Sequence, residues 1–302
     1  METFIQQVVT GLMTGSVYAL IALAFVLIFQ SSGHINFAQG EMATFTTFLA
    51  WSFMTRVPYV IGAVLAVGAA FLIGAALHRG LMRLADGKPE ITAVIIALGL
   101  FLIFNSVGAS IYHFEPHHFT QPFTGGPIDV GGVKVGRHNV YVFVVAIILT
   151  GALWWLFERT KVGLALRATA ADRGTADLMG IPTGRMLALG WGLATAVGAV
   201  AGILLAPLLV LTPSMMFFIL LFALSSAVLG GFDNAPGVVV GAIIVGIVQN
   251  LVGTYLDDVV SPIGIGIEDP NAYRDIIGIV LIVLVLAVRP HGLFGKTVVQ
   301  KV

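Results

Sequence analysis

A chain of 302 residues that is 58% apolar and only 10% charged cannot cover a water-facing surface, since soluble domains carry about 25% charged residues. Its 15 basic and 15 acidic residues cancel, which gives no global pull toward nucleic acid or an anionic surface. The absence of cysteine excludes disulfides, thiolate zinc sites and iron–sulfur clusters. With a mean hydropathy of +1.00, lipid must be the chain's main solvent.

Apolar runs bounded by Gly, Pro or charge fall at 4–29, 41–54, 58–78, 91–112, 139–157, 186–211, 214–229, 236–254 and 273–288. A helix needs about 20 apolar residues to cross the hydrocarbon, so most runs qualify, while 41–54 and 214–229 are short. The first run is longer than a signal-peptide core and has no basic residue before it, so it reads as a retained span. The runs are too long for strands and lack alternation. Backbone groups in lipid must pair internally, so the expected fold is an all-α, polytopic bundle of about 8–9 transmembrane helices in one domain, 1–302.

Along that bundle, the segment QSSGHINFAQGE at 30–41 interrupts an apolar stretch, and GGFDNAPG at 230–237 does the same near the other end. Each precedes a helix rich in small residues. Neither contains Lys or Arg, which places both at membrane depth as discontinuous or re-entrant breaks rather than as cytosolic turns. Paired Gly/Pro-interrupted segments in the two halves point to a transport path. The expected lining is His34, Asn36, Gln39, Gly40 and Glu41 from the first break, with Asp233, Asn234 and Gly237 from the second. The plainer alternatives are two tight interfacial turns, and for Glu41 a charge complementing the start of its helix.

Between the breaks, 113–138 is the longest polar loop, rich in Gly and Pro and suited to a short hairpin. His113, His117 and His118 beside Glu115 match no metal-ligand spacing, because Pro116 interrupts them, so no metal is assigned. The polar segment 163–182 contains a short helix over 170–179, stopped by Gly180 in the left-handed region with Pro182 beyond. Its weak, non-aromatic apolar face argues against a helix lying on the membrane. Asn105, Gln249 and Asn250 are the main polar intrusions in the spans from 91 to 288, suited to hydrogen bonds between helices.

Eleven of the 15 basic residues cluster in three segments: 79–88, 159–185 and the tail after 288. Positive residues stay on the cytosolic side, so these segments face inward and 113–138 faces outward. Nine crossings then run from an outer N-terminus to an inner C-terminus, although one re-entrant segment would change the parity. The spans from 91 to 288 carry no Asp, Glu, Lys or Arg well inside their apolar runs, and Glu41 is the exception earlier in the chain. Proton-coupled carriers relay charge through such groups. The tail GLFGKT at 292–297 imitates a phosphate loop, but Pro290 stands where its first glycine belongs. Active transport would therefore draw energy from a partner. A secondary transporter or facilitator is the alternative, and no convergent nucleophile or metal set suggests an enzyme.

GHINFAQGE, the A-x-x-x-D-x-x-x-A-x-x-x-G-I pattern from Ala168 to Ile181, LGGFDNAPGVVVGA and RPHGLFG occur in order over nearly the whole chain. Together they resemble the permeases of branched-chain amino acid ATP-binding-cassette importers. Relatives often show Arg or Thr where His291 stands. The resemblance implies an inner-membrane subunit working with a second related permease, two ATPase subunits and a periplasmic binding protein, without a cofactor. It further implies that the cytosolic region 158–185 couples to an ATPase through Arg167, Ala168, Asp172, Ala176, Gly180 and Ile181. The two breaks would border the path of a branched-chain amino acid, urea or a short amide.

Overall fold

The structure is a computed structural model describing residues 2–85, 88–113, 115–119, 125–130, 133–260, 280 and 292–294. Its helices are α1 (Glu2–Ser32), α2 (Gln39–Met54), α3 (Tyr59–Gly80), α4 (Glu90–Tyr112), α5 (Arg137–Arg159), α6 (Lys161–Ala171), α7 (Arg173–Leu178), α8 (Thr183–Leu209), α9 (Phe217–Gly230) and α10 (Ala235–Val260). A 3-10 turn, Met82–Ala85, follows α3. Pro58 and Pro89 stand immediately before α3 and α4, where a missing amide proton breaks no helical hydrogen bond.

Six of these helices are long and apolar enough to cross a membrane: α1, α3, α4, α5, α8 and α10. The two runs that are short in the sequence become α2, with 16 residues, and α9, with 14. At 1.5 Å per residue they reach about 24 and 21 Å, less than a hydrocarbon core of about 30 Å. Of the expected ninth span, 273–288, all but Val280 lies outside the described residues. The expected hairpin in the polar loop is present, as antiparallel strands β1 (Ile128–Val130) and β2 (Val133–Val135) with Ile128 opposite Val135.

Contacts divide the chain into two compact units, with boundaries inside α1, α5 and α9. One unit comprises Leu23–Pro122 and Gly151–Leu220. In it, α3 buries Gly62, Ala66, Ala70, Gly74 and His78, one residue per turn. A Cβ on Gly74 would collide with Thr195 and the Trp191 carbonyl, and one on Gly192 would lie 2.9 Å from the Phe71 carbonyl oxygen. Small residues let α3 and α8 pack backbone to backbone, which is how helices associate when lipid removes the hydrophobic drive. The opposite face of α3 exposes Leu65 and Leu72, while α4 exposes Ile95 and Leu102. Apolar surface on this scale suits contact with lipid.

The other unit comprises Met1–Ala22, Phe123–Thr150 and Leu221–Val302. Here Gly11 and Gly15 of α1 abut Ile247 and Ile243 of α10, leaving no room for a side chain. Two of the three expected amides bridge these helices. Asn250 Nδ2 donates to Thr14 Oγ1 at 3.2 Å, and the Tyr18 hydroxyl donates to Gln249 Oε1.

Candidate functional site

The first break occupies 33–38, between α1 and α2. Gly33 reverses the chain at φ +74°, a left-handed conformation that costs glycine nothing, and its amide donates to the Phe29 carbonyl. Asn36 then makes a local turn, its Oδ1 accepting from Ala38 N at 3.0 Å. Buried Gln39 reaches across to α8 and donates from Nε2 to the Ala194 carbonyl at 3.1 Å. Gly198 is what admits it, because a Cβ there would lie 2.6 Å from Gln39 Nε2. Glu41 is buried in the first turn of α2, and Asn105 of α4 donates to its Oε2 at 3.2 Å. Asn36, Gln39 and Glu41 thus form one buried polar patch against α8 and α4, while buried Gly40 faces Met216 and Leu220. His34 does not join it. Half-buried, it lines a cavity of about 300 Å³ with Gly33, His78, Ala170, Asp172 and Trp191.

The second break, 231–234, belongs to the other unit and is organised differently. Gly231 turns the chain at φ +90°. Asp233 is exposed, and Asn234 caps α10, its Oδ1 accepting from Gly237 N at 3.1 Å. Residues 292–294 close over this turn: Leu293 N donates to the Leu229 carbonyl at 2.7 Å. A Cβ on Gly237 would lie 2.7 Å from the Gly230 carbonyl oxygen and 2.9 Å from Phe294 Cβ. Two sequence motifs, GGFDNAPG and the GLF of the tail, are therefore parts of one structure. Nothing in their spacing announces this.

The expected single helix over 170–179 is two helices. Asp172 leaves helical geometry at φ −157° and caps α7, accepting from Thr175 N at 3.1 Å and from Thr175 Oγ1 at 2.8 Å. These bonds favour the ionised carboxylate and hold its pKa below the ordinary aspartate value. The expected stop is in place. Gly180 sits at φ +82°, its amide donates to the Asp177 carbonyl, and Ile181 N donates to the Ala176 carbonyl. Arg167 pairs with exposed Glu158 at 3.2 Å, a surface contact worth about 0–1 kcal/mol. Ala168 and Ile181 are half-buried, and Ala176 is buried, so its small side chain serves the packing of α7. Leu178 and Met179, 90% and 77% exposed, stand at the tip instead. Their only signal in the sequence is a position just before the Gly-Ile-Pro stop.

His117, from the proposed external loop, exchanges backbone hydrogen bonds with Leu211 at 3.0 and 3.2 Å and stacks on Trp51. It ties the loop to the ends of α2 and α8, opposite the end carrying the 3-10 turn and α7.

Long apolar helices packed through glycine and alanine, with apolar side chains outward and buried amides inward, define a multi-pass membrane protein. The family described as the permease component of branched-chain amino acid transport systems matches residues 7–286, and the chain belongs to it. It is 29% identical to BraD of Pseudomonas aeruginosa, a high-affinity branched-chain amino acid transport system permease protein, over 99% of this chain and 98% of that one. It is 28% identical to the like-named LivH of Escherichia coli with the same coverage. A probable branched-chain amino acid transport permease of Methanocaldococcus jannaschii is 27% identical over 91% of this chain and 88% of its own. No solved structure matches the chain significantly.

Proposed function

We propose that the chain is a permease subunit of an ATP-binding-cassette importer in a bacterial inner membrane, and that it forms the translocation path for branched-chain amino acids or related small polar solutes. The relatives' names support the substrate class. The buried Asn36, Gln39 and Glu41, with Gly40 between them, support a polar path wall, and Asp233, Asn234 and Gly237 are proposed for the path from their place in the second break. Energy comes from two ATPase subunits, and substrate comes from a periplasmic binding protein. A second, related permease completes the path. The segments 79–88 and 158–185 face the cytosol.

The observation that carries this reading is the α6–α7 elbow. Asp172 and Gly180 cap α7 at both ends, so the short helix is held without burying its tip, and Leu178 and Met179 stay exposed. Two neighbouring apolar side chains exposed on a rigid knob suit insertion into a cleft on a partner. Leu178→Asp with Met179→Asp is expected to leave thermal unfolding of the purified chain unchanged. It should abolish co-purification with the partner ATPases and substrate-stimulated ATP turnover. Full turnover in this variant would overturn the docking assignment. Substrate flux through the purified chain alone would favour a facilitator.

A further inference from the structure

The same unit carries a second feature that the transport reading does not use. Arg79 from the end of α3, Arg83 from the 3-10 turn, Arg173 from α7 and Arg185 from the first turn of α8 line one groove of about 500 Å³. Among the described residues the one carboxylate lining it is Asp177, which accepts from Thr183 Oγ1 at 2.7 Å. Arg173 Nε in turn donates to Thr183 at 3.3 Å. Four guanidiniums drawn from four elements around one carboxylate give the described lining a net positive charge, a field that favours an anion. The N-terminus of the 27-residue α8 opens on the groove with no side chain capping it, which adds its dipole to the same field.

Basic residues at helix ends usually need no ligand, because they anchor a span at the interface and complement the last carbonyls of a helix. That accounts for Arg79 alone. It does not account for convergence from four elements, nor for the apolar surface leading into the groove. Leu65, Leu72 and Arg79 recur every seven residues on the exposed face of α3, and exposed Leu81 and Leu84 flank the arginines. From Leu65 to Arg79 this stripe rises about 21 Å, enough for one leaflet of a core about 30 Å thick. A soluble anion would use the arginines and leave the stripe idle. A lipid with a phosphate headgroup uses both.

We propose that this groove binds an anionic phospholipid, its phosphate among Arg79, Arg83, Arg173 and Arg185 and its acyl chains along Leu72 and Leu65 of α3. The site depends on α3 ending at a membrane surface, and holds whichever solute the chain carries.

The test uses the full chain purified in detergent, exchanged into mixed micelles with phosphatidylglycerol or phosphatidylcholine and read by native mass spectrometry and thermal unfolding. Phosphatidylglycerol should be retained about tenfold better and should raise the melting temperature, as a few basic residues at an anionic surface would produce. Arg79→Gln with Arg83→Gln should erase the preference while leaving the melting temperature in phosphatidylcholine unchanged. Should that pair fail to fold, the exposed Arg185→Gln alone should still weaken retention severalfold. Arg56→Gln, near the opposite end of the unit, should keep the full preference. Equal retention of the two lipids, a preference that survives both groove variants, or equal stabilisation by inorganic phosphate alone would each overturn the proposal. So would loss of lipid retention on addition of the partner ATPases, since the occupant would then be their acidic side chains.

Discussion

The two breaks look alike in the sequence and are built on different physics. Each is a polar, glycine-bearing interruption ahead of a helix rich in small residues, and each turns at a glycine in the left-handed region. The first satisfies its polar groups with side chains carried inside: Gln39 on the Ala194 carbonyl, Asn105 on the Glu41 carboxyl. The second satisfies its own with backbone and a cap, Leu293 on Leu229 and Asn234 on Gly237, and leaves Asp233 exposed. A buried carboxyl and amides are costly to retain and can face a solute. A backbone clamp chiefly holds shape. Resemblance between two segments of one chain therefore does not give them one role, and the first break carries the stronger claim to touch what is transported.

Adding a methyl group at the glycine of each break separates the two designs most sharply. At Gly237 the new atom meets the Gly230 carbonyl oxygen, which cannot yield without opening the turn. At Gly40 it meets the end of Leu220 at 2.9 Å, which can rotate. Gly237→Ala should cost about 1–3 kcal/mol and Gly40→Ala less than about 1. Thermal unfolding of the purified variants measures both, and equal losses would erase the distinction between a rigid clamp and a yielding wall.

A smaller contrast comes from the polar partners. Asn105→Leu strands the buried Glu41 carboxyl and should cost about 1–3 kcal/mol, the desolvation penalty of an unmade bond. Asn234→Ala removes a cap, worth about 1 kcal/mol, and Asp233→Ala should fall within about 0.5 kcal/mol of the parent. If Asp233→Ala abolished transport without loss of stability, the second break would have as direct a role in the path as the first.

The smallest effect lies outside both breaks, at the elbow. The folded pKa of Asp172 is depressed below its unfolded value, so its cap contributes fully above the ordinary aspartate pKa of about 3.9. The contribution falls away as pH drops through that value and the lower folded one. Amide exchange in α7 should quicken below about pH 4 relative to α8, and Asp172→Asn should flatten the dependence. An unchanged exchange ratio across that range would show that the cap does not hold α7.

Much of the bundle was legible because lipid makes backbone pairing local. An apolar run must be helical whatever surrounds it, so 58–78, 91–112, 139–157 and 186–211 correspond closely to α3, α4, α5 and α8. The roles of Asn105, Gln249 and Asn250 were legible for the same reason, since an amide within a span has no water to bond and finds partners on neighbouring helices. The stop at Gly180 follows from a local rule, and the kink at Asp172 also has a local cause, hidden by the alanines around it. Other features depend on residues far apart in the chain: Glu41 meeting Asn105 across 64 positions, Gly292 closing on Gly231, four arginines facing one groove. Local chemistry alone determined where this chain is helical and where it stops. Which polar groups meet was decided by the one-residue-per-turn glycine and alanine faces, because only packing at backbone distance selects a partner among helices that lipid solvates equally well.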